Sequence, residues 1–558
     1  MENLRDLLEG SVKRFGKNNA FIVKDENGDH LEISYSKFHE EAEGLAEALI
    51  SHGFANSRIA IIGKNSYEWF LTTMATQLMG ACSVPLDREL KEGELLRSLK
   101  RSEAKAVFCD RASESIVRAA VKTGETSVEN IYNLYIGENE DIRDLVNEGI
   151  NLREHQSNEV GKVEIDENDV AFLLFTSGTT SDSKVVMLSQ RNIYSDVINT
   201  ISVEDLRPTD VNLALLPSHH MLGAISQWLM IGVGGCNVYC DGLKHLQKNM
   251  QEYGVTLFLV VPLILETMYK KILKTAEKKG LLGRLNALRS VSRALRAVGI
   301  RGNRAMFAGV LAAFGGKLRM MFVGGAACDP EAVKGFDDFG VVVLQGYGLT
   351  ETSPIIAGER PRHRRLGSVG LPLPCNEIII YNPDDNGIGE VLVKGPNVTQ
   401  GYYDDEAATA GAFQGGWFHT GDLGYFDSEG YLFLTGRKKN VIVLKNGKNI
   451  FPEEIEGMIT KLPYAVDNII VGLPNNGDEK DLVVSLKIEY DPEKFDGKDK
   501  NEIRNIIKDD IERINDTMPA YKRIKRIFIT DEPMIKTSTG KVRRFKEIEL
   551  MLKEESEK

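Results

Sequence analysis

Apolar positions along the first 350 residues follow two rhythms. Continuous apolar runs occur at "RIAIIG" (Arg58 to Gly63), "AVFCD" (Ala106 to Asp110), "VAFLLF" (Val170 to Phe175), "VNLALLP" (Val211 to Pro217), "TLFLVVP" (Thr256 to Pro262), "RMMFVGGA" (Arg319 to Ala326) and "VVVLQGYG" (Val341 to Gly348). A strand covered on both faces has no solvent side to keep polar, so such runs predict buried strands. Between them the spacing turns helical: Phe38, Ala42, Leu45, Ala46 and Leu49 fall on one helical face. Strand and helix in alternation predict an α/β domain with largely parallel sheet.

The texture changes at Asn376. "NEIIIYNPDDNGIGEVLVKG" is two strand-like runs around a turn-rich centre, which predicts a hairpin and a smaller β subdomain at about 376–436. After Arg437 it changes again, to "NVIVLKNGKNIFPEEIEGMI" and then helices and strands ending near "IKTSTGKVRRFKEIE". These residues predict a separate α+β domain of roughly 120 residues, a size that can fold alone. The expected organisation is a large N-terminal domain over residues 1–438 and a small C-terminal one over 439–558.

A chain of 558 residues exceeds one ordinary domain, which agrees with that division. The net charge of −12 excludes a general nucleic-acid binder. The exception is local: residues 270–304 carry eleven Lys or Arg against one acidic residue, Glu277, interleaved with apolar positions. Such a stretch is either a solvated helical face or a basic amphipathic helix making peripheral contact with anionic lipid. The start, "MENLRDLLEGSVKRFG", lacks the apolar centre of a signal peptide, and no run approaches the roughly 18 apolar residues of a membrane span. The expected location is the cytoplasm, with the inner membrane face as the alternative if 270–304 meets lipid. Six scattered cysteines fit reduced thiols, and Cys236 and Cys240 have no second Cys or His pair with which to hold zinc.

Chemistry concentrates in five short stretches. "LLFTSGTTSDSK" ends a buried strand on Thr, Ser and Gly and closes on Lys184, which makes an anion cradle of backbone N–H groups, hydroxyls and an ammonium. It lacks the Walker spacing, and by itself it is equally an ordinary polar loop between strand and helix. "GYGLTE" (Gly346 to Glu351) ends a second buried strand on a hydroxyl and a carboxylate, suited to a phosphate and a divalent cation. "GWFHTGD" puts Asp422 on a turn, where it can accept hydrogen bonds from vicinal ribose hydroxyls. "TGRKKN" supplies the fork of Arg437, and "IKTSTGKVRR" presents Lys541 beside a glycine.

In type and order these five motifs resemble those of the adenylate-forming ligases, the family of acyl-CoA synthetases, acyl and aryl ligases and luciferases. The resemblance covers the whole chain and implies a mobile C-terminal domain that closes on the large one in two orientations. It further implies ATP, Mg²⁺ and CoA as co-substrate. Thr176, Ser177, Gly178, Thr179, Thr180 and Lys184 would hold the pyrophosphate portion of ATP. Gly325 and Ala326, with Tyr347 between Gly346 and Gly348, would frame the adenine. Thr350 would touch the α-phosphate, Glu351 would ligate Mg²⁺, and Asp422 and Arg437 would hold the ribose. Lys541 would bridge the substrate carboxylate and the α-phosphate. "LPSHHMLG" resembles the segment at the mouth of the acyl pocket, with His220 at the matching position and Gly223 beside it. Lys439 and Asn440 match the hinge, and Gly447 with Lys448 the segment that admits a pantetheine arm.

Four departures from the family pattern stand out: Ser181, Ser183 and Val185 in the phosphate loop, where Gly, Pro and Gly are usual, and Asn440, where an acidic residue is common. Val185 is the largest, since a β-branched residue resists positive φ. The helical run after "TLFLVVP" and its basic continuation resemble long-chain acyl-CoA ligases, so a medium- to long-chain fatty acid is the expected carboxylic acid. Two alternatives stay open: transfer of the acyl group to the phosphopantetheine of an acyl carrier protein, and a nucleotide- or acyl-binding protein that has lost turnover.

Overall fold

The structure is a computed structural model. It describes the chain apart from residues 1, 26, 136–140, 156, 177–183, 299–302, 446–447, 476–477, 537–541 and 557–558. The apolar runs of the first 350 residues are strands, and they divide between two sheets. A seven-stranded sheet holds Arg58–Ile62, Ala106–Cys109 and Val170–Phe175; a nine-stranded sheet holds Val211–Ala214, Leu257–Val260, Met320–Val323 and Val342–Gly348. Pairing is parallel through the middle of both sheets and antiparallel at both edges of the nine-stranded one and at one edge of the seven-stranded one. Buried on both faces, the central strands can afford no polar alternation, which is why they read as solid apolar runs.

Helices cover the sheets. Tyr35–Ser51 starts on Ser34, whose hydroxyl accepts from the Lys37 N–H, and buries Phe38, Ala42, Leu45, Ala46 and Leu49 completely. Each of its larger apolar side chains contributes about 1.5–3 kcal/mol on burial. Beyond residue 376 the chain builds an antiparallel sheet from Glu377–Tyr381, Gly389–Lys394, Trp417–Phe426 and Leu432–Arg437, with the short strand Phe413–Gln414 on its edge. The remainder forms the three-stranded sheet Ala465–Asn475, Asp478–Tyr490 and Arg526–Thr530 with helices Pro452–Ile459, Lys500–Asp516 and Arg544–Ser556. Its core of Ile450, Ile455, Leu486, Ile503, Ile507 and Ile511 is drawn from this part of the chain alone. Among the described residues no helix is long and apolar enough to cross a membrane.

The basic stretch forms two helices, Pro262–Lys278 and Leu282–Ala297, and three arginines of the second share one buried acceptor. Arg289, Arg293 and Arg296 all reach the fully buried Asp338, at 3.1, 2.8 and 2.6 Å. Arg304 donates to the carbonyls of Gly316, Leu318 and Gly340. Lys270, Lys271, Lys274, Lys278, Lys279 and Arg284 remain exposed. Charge reversal at the three arginines therefore breaks these bonds within the fold. Asp338→Ala leaves these guanidinium groups without their shared acceptor and is expected to cost about 3–5 kcal/mol, seen as a lower midpoint of unfolding. Lys274→Glu on the exposed side of the same helix pair should change stability by less than about 0.5 kcal/mol.

Candidate active site

The expected phosphate loop lies between two strands, not between strand and helix. Val170–Phe175 pairs antiparallel with Val185–Ser189, and the Thr176 N–H donates to the Lys184 carbonyl at 2.9 Å. Ser177, Gly178, Thr179, Thr180, Ser181 and Ser183 lie outside the described residues, so the structure places only the two ends of this hairpin tip, Thr176 and Lys184. Val185 is the first residue of the returning strand, fully buried and paired with Phe175. A β-branched side chain is favoured in that setting, so the φ objection to Val185 does not apply.

The third strand of this edge is Gly401–Tyr402, whose residues pair with Met187 and Val186. Tyr402 was not singled out by the sequence reading, yet it joins two residues that were. Its hydroxyl donates to Glu351 Oε1 at 2.9 Å, and Lys184 Nζ lies 4.1 Å from the centre of its ring. The sequence signal was slight: a Gly-Tyr-Tyr ahead of a short acidic helix start.

Glu351 sits in a 3-10 turn, Thr350–Thr352, at the end of Val342–Gly348. The turn folds back on Gly348, where a Cβ would meet the Pro354 carbonyl oxygen at 1.6 Å. Gly348 is thus required by packing of the turn, whereas Gly346 has room for a side chain. The Thr399 N–H donates to the Glu351 carbonyl at 2.7 Å. Beneath, the buried Asn397 amide holds the Thr352 and Ile355 carbonyls at 3.0 and 2.8 Å and lies 3.1 Å from Asp196. Burial raises the Asp196 carboxyl well above its ordinary range, against its bonds from Asn397 and the Ile355 N–H.

Four residues upstream of Glu351, the buried Tyr347 donates its hydroxyl to Asp422 Oδ2 at 2.7 Å, and Arg437 Nε lies 2.6 Å from the other oxygen. Burial, then the Asp422 charge, pushes the Tyr347 phenol up, so it stays a donor. Asp422 is not on a turn. It lies within Trp417–Phe426, where the register to Gly389–Lys394 slips and Gly421 takes φ +69°. The bulge turns the carboxylate toward Tyr347, and Asp422 stands opposite Arg437 in the ladder.

Gly325 and Ala326 are exposed just past the carboxyl end of Met320–Val323. The Leu222 side chain lies 3.6 Å from where a Gly325 Cβ would be, which brings the start of helix Met221–Val233 to this loop. His220 caps that helix start, with its ring centroid 4.2 Å from that of His219. His219 faces Asp87 at 3.6 Å. Gly223 serves packing: a Cβ there would meet the Pro217 carbonyl oxygen at 2.2 Å, so it permits close backbone approach. All of these stand at the carboxyl ends of parallel strands, where ligands bind in open α/β sheets.

The connection to the C-terminal part is the 3-10 turn Lys438–Asn440. Lys438 pairs with Glu390 at 2.8 Å, and Asn440 donates to Glu453 Oε1 at 2.7 Å. An acidic residue at 440 would face the Glu453 carboxylate, which accounts for the asparagine. Partial burial, then the charges of Arg437, Arg544 and Lys184, pull the Lys439 ammonium below its usual range, with Asp422 opposing. Lys439 is therefore among several cations, as a site for phosphates requires. Lys448 packs over the Tyr521 ring at 4.3 Å within the C-terminal part. Gly447 and Lys541 lie outside the described residues; the flanks of the latter, Lys536 and Val542, are bridged.

This arrangement has known counterparts. The model of the AMP-binding enzyme family matches residues 8–403, and that of the AMP-binding enzyme C-terminal domain matches 439–554. The long-chain-fatty-acid–CoA ligase FadD15 of Mycobacterium bovis is 29% identical over 492 residues, covering 84% of this chain and 79% of the relative. Long-chain-fatty-acid–CoA ligase 6 of Mus musculus is 30% identical over 463 residues, 76% of this chain and 65% of the relative. The ATP-bound structure of MatB from Rhodopseudomonas palustris superposes with a TM-score of 0.76 at 23% identity, over 98% of this chain and 97% of that one, and so shares the fold. With one family model spanning most of its length and a second spanning its C-terminal part, the chain belongs to the AMP-binding enzyme family.

Proposed function

We propose that the chain is an adenylate-forming acid–thiol ligase that joins a carboxylic acid, a medium- to long-chain fatty acid, to CoA with release of AMP and pyrophosphate. One observation carries this reading. Residues 347–351, which run from the end of a strand into a 3-10 turn, meet the Asp422–Arg437 pair at one end and Tyr402 with Lys184 at the other. A single rigid segment thus lines up groups suited to ribose with groups suited to polyphosphate.

In the first step a substrate carboxylate oxygen bonds to the α-phosphorus and the bond to pyrophosphate breaks. Two anions must meet, so the site's task is to neutralise charge, not to supply a nucleophile. In this reading Lys541 bridges the two anions, Thr176 to Thr180 and Lys184 hold the departing pyrophosphate, Thr350 touches the α-phosphate, and Gly325, Ala326 and Tyr347 border the base. Glu351 fits a hard divalent cation, being an oxygen donor on a turn pinned by backbone and side-chain bonds. Mg²⁺ bound there would offset phosphate charge. In the second step a thiol sulfur bonds to the acyl carbon, the bond to AMP breaks, and the thiol proton is lost to solvent.

For that step residues 439–558 re-orient about Lys439 and Asn440, and Gly447 and Lys448 line the thiol's approach. A separate C-terminal core supports such motion. Support for the fatty acid comes from the names of FadD15 and ligase 6 and from the helical run after Leu257–Val260. His220, two residues before the Leu222 that packs on Gly325, stands at the proposed acyl mouth.

Incubation with ATP, Mg²⁺, CoA and acids from acetate to long-chain fatty acids and benzoate, read by mass spectrometry, is expected to yield a medium- or long-chain acyl-CoA. Acyl-AMP without thioester would move the acceptor to an acyl carrier protein, and no ATP-dependent product would contradict the ligase. Lys541→Ala is expected to lower acyl-AMP formation roughly 10²–10³-fold while sparing thioester formation from supplied acyl-AMP. Unchanged acyl-AMP formation would remove Lys541 from its assigned role.

A further inference from the structure

Tyr402 stands between two opposite charges that the reaction needs kept apart. The exposed Lys184 and the half-buried Glu351 converge on one edge of the site, and a lysine beside a carboxylate tends to close into an ion pair. Such a pair would cancel the carboxylate meant for a divalent cation and the ammonium meant for phosphate. In the structure Lys184 lies instead over the Tyr402 ring, at 4.1 Å, and Glu351 takes the Tyr402 hydroxyl, at 2.9 Å. One side chain thus receives the cation on its face and the anion at its tip.

The tyrosine is well fixed for this. It is 6% exposed and paired in the ladder with Val186, and its N–H donates to Thr409 Oγ1 at 2.9 Å. Gly401, at φ +136°, has the Thr409 methyl 2.5 Å from where its Cβ would be, so the backbone entering Tyr402 has no slack.

We propose that Tyr402 is a positioning residue that sets Glu351 for the divalent cation through its hydroxyl and holds Lys184 for the polyphosphate through its ring. This rests on the ligase reading above. The two functions sit on different parts of one side chain, so two substitutions separate them: Tyr402→Phe keeps the ring and removes the hydroxyl, and Tyr402→Leu removes both.

The test is binding, not turnover. Mn²⁺ binding to the ATP-saturated full chain is followed by electron paramagnetic resonance, and ATP binding without divalent cation by calorimetry. Tyr402→Phe should weaken Mn²⁺ about tenfold, the loss of one hydrogen bond to a charged group, with metal-free ATP affinity within about twofold of wild type. Tyr402→Leu should in addition weaken metal-free ATP about threefold or more, the loss of a cation–π contact. AMP, which lacks the outer phosphates, should bind both variants like wild type, which also shows that they fold. Equal Mn²⁺ affinity in Tyr402→Phe and wild type overturns the hydroxyl's role. Equal metal-free ATP affinity in Tyr402→Leu and wild type overturns the ring's, and AMP binding lost in both variants makes Tyr402 merely structural. Failure of the wild type to bind ATP at all would instead count against the ligase reading.

Discussion

The hydroxyl that Tyr347 donates to Asp422 is the bond on which the site's geometry turns. Tyr347 belongs to the nine-stranded sheet and Asp422 to the antiparallel sheet that follows it, so one buried contact joins the two. Arg437 holds the second carboxylate oxygen from the strand that runs directly into Lys438–Asn440. Any change that frees Asp422 therefore loosens three things at once: the Tyr347 end of the candidate site, the seating of the antiparallel sheet and the strand leading to the C-terminal part. The bulge at residues 420–422 exists to make this contact, since a regular strand would carry the carboxylate past the phenol.

Charge is distributed with the same economy. The chain is acidic overall, yet the charges of Arg437, Arg544 and Lys184 all act on Lys439. Lys438 is drawn aside by Glu390, whose carboxyl burial would raise but whose bonds to Lys438 and His419 hold below the usual range. Arg289, Arg293, Arg296 and Arg304 belong to a different task, tying helix Leu282–Ala297 to Asp338 and the segment after it to backbone carbonyls. A local count of basic residues cannot separate these uses, because the partners of Arg289, Arg293 and Arg296 lie 49, 45 and 42 residues further along the chain.

That distance explains what the sequence made legible. Buried parallel strands announce themselves, since both faces demand apolar residues, and the motifs on their ends could be read in order. Whether the loop after Val170–Phe175 leads to a helix or a returning strand could not be read, because "VVMLS" is short and fits either. The returning strand also reverses the meaning of Val185, from an obstacle in a loop to a preferred residue in a ladder. Tyr402 and Asn397 escaped notice because they act on Glu351 and its turn across some fifty positions, through single bonds with no local spacing to reveal them. Asp422 was found by its motif, but its place in a bulged strand depends on the partner strands Gly389–Lys394 and Leu432–Arg437.

The central claim is that residues 347–351 align a nucleotide between Asp422 at its ribose and Glu351 at its phosphates. Calorimetric titration of AMP, without divalent cation, into Asp422→Ala and Glu351→Gln tests it most directly. The account predicts that Asp422→Ala weakens AMP at least about tenfold, or 1.4 kcal/mol, while Glu351→Gln binds AMP like wild type. Wild-type AMP affinity in Asp422→Ala would contradict it.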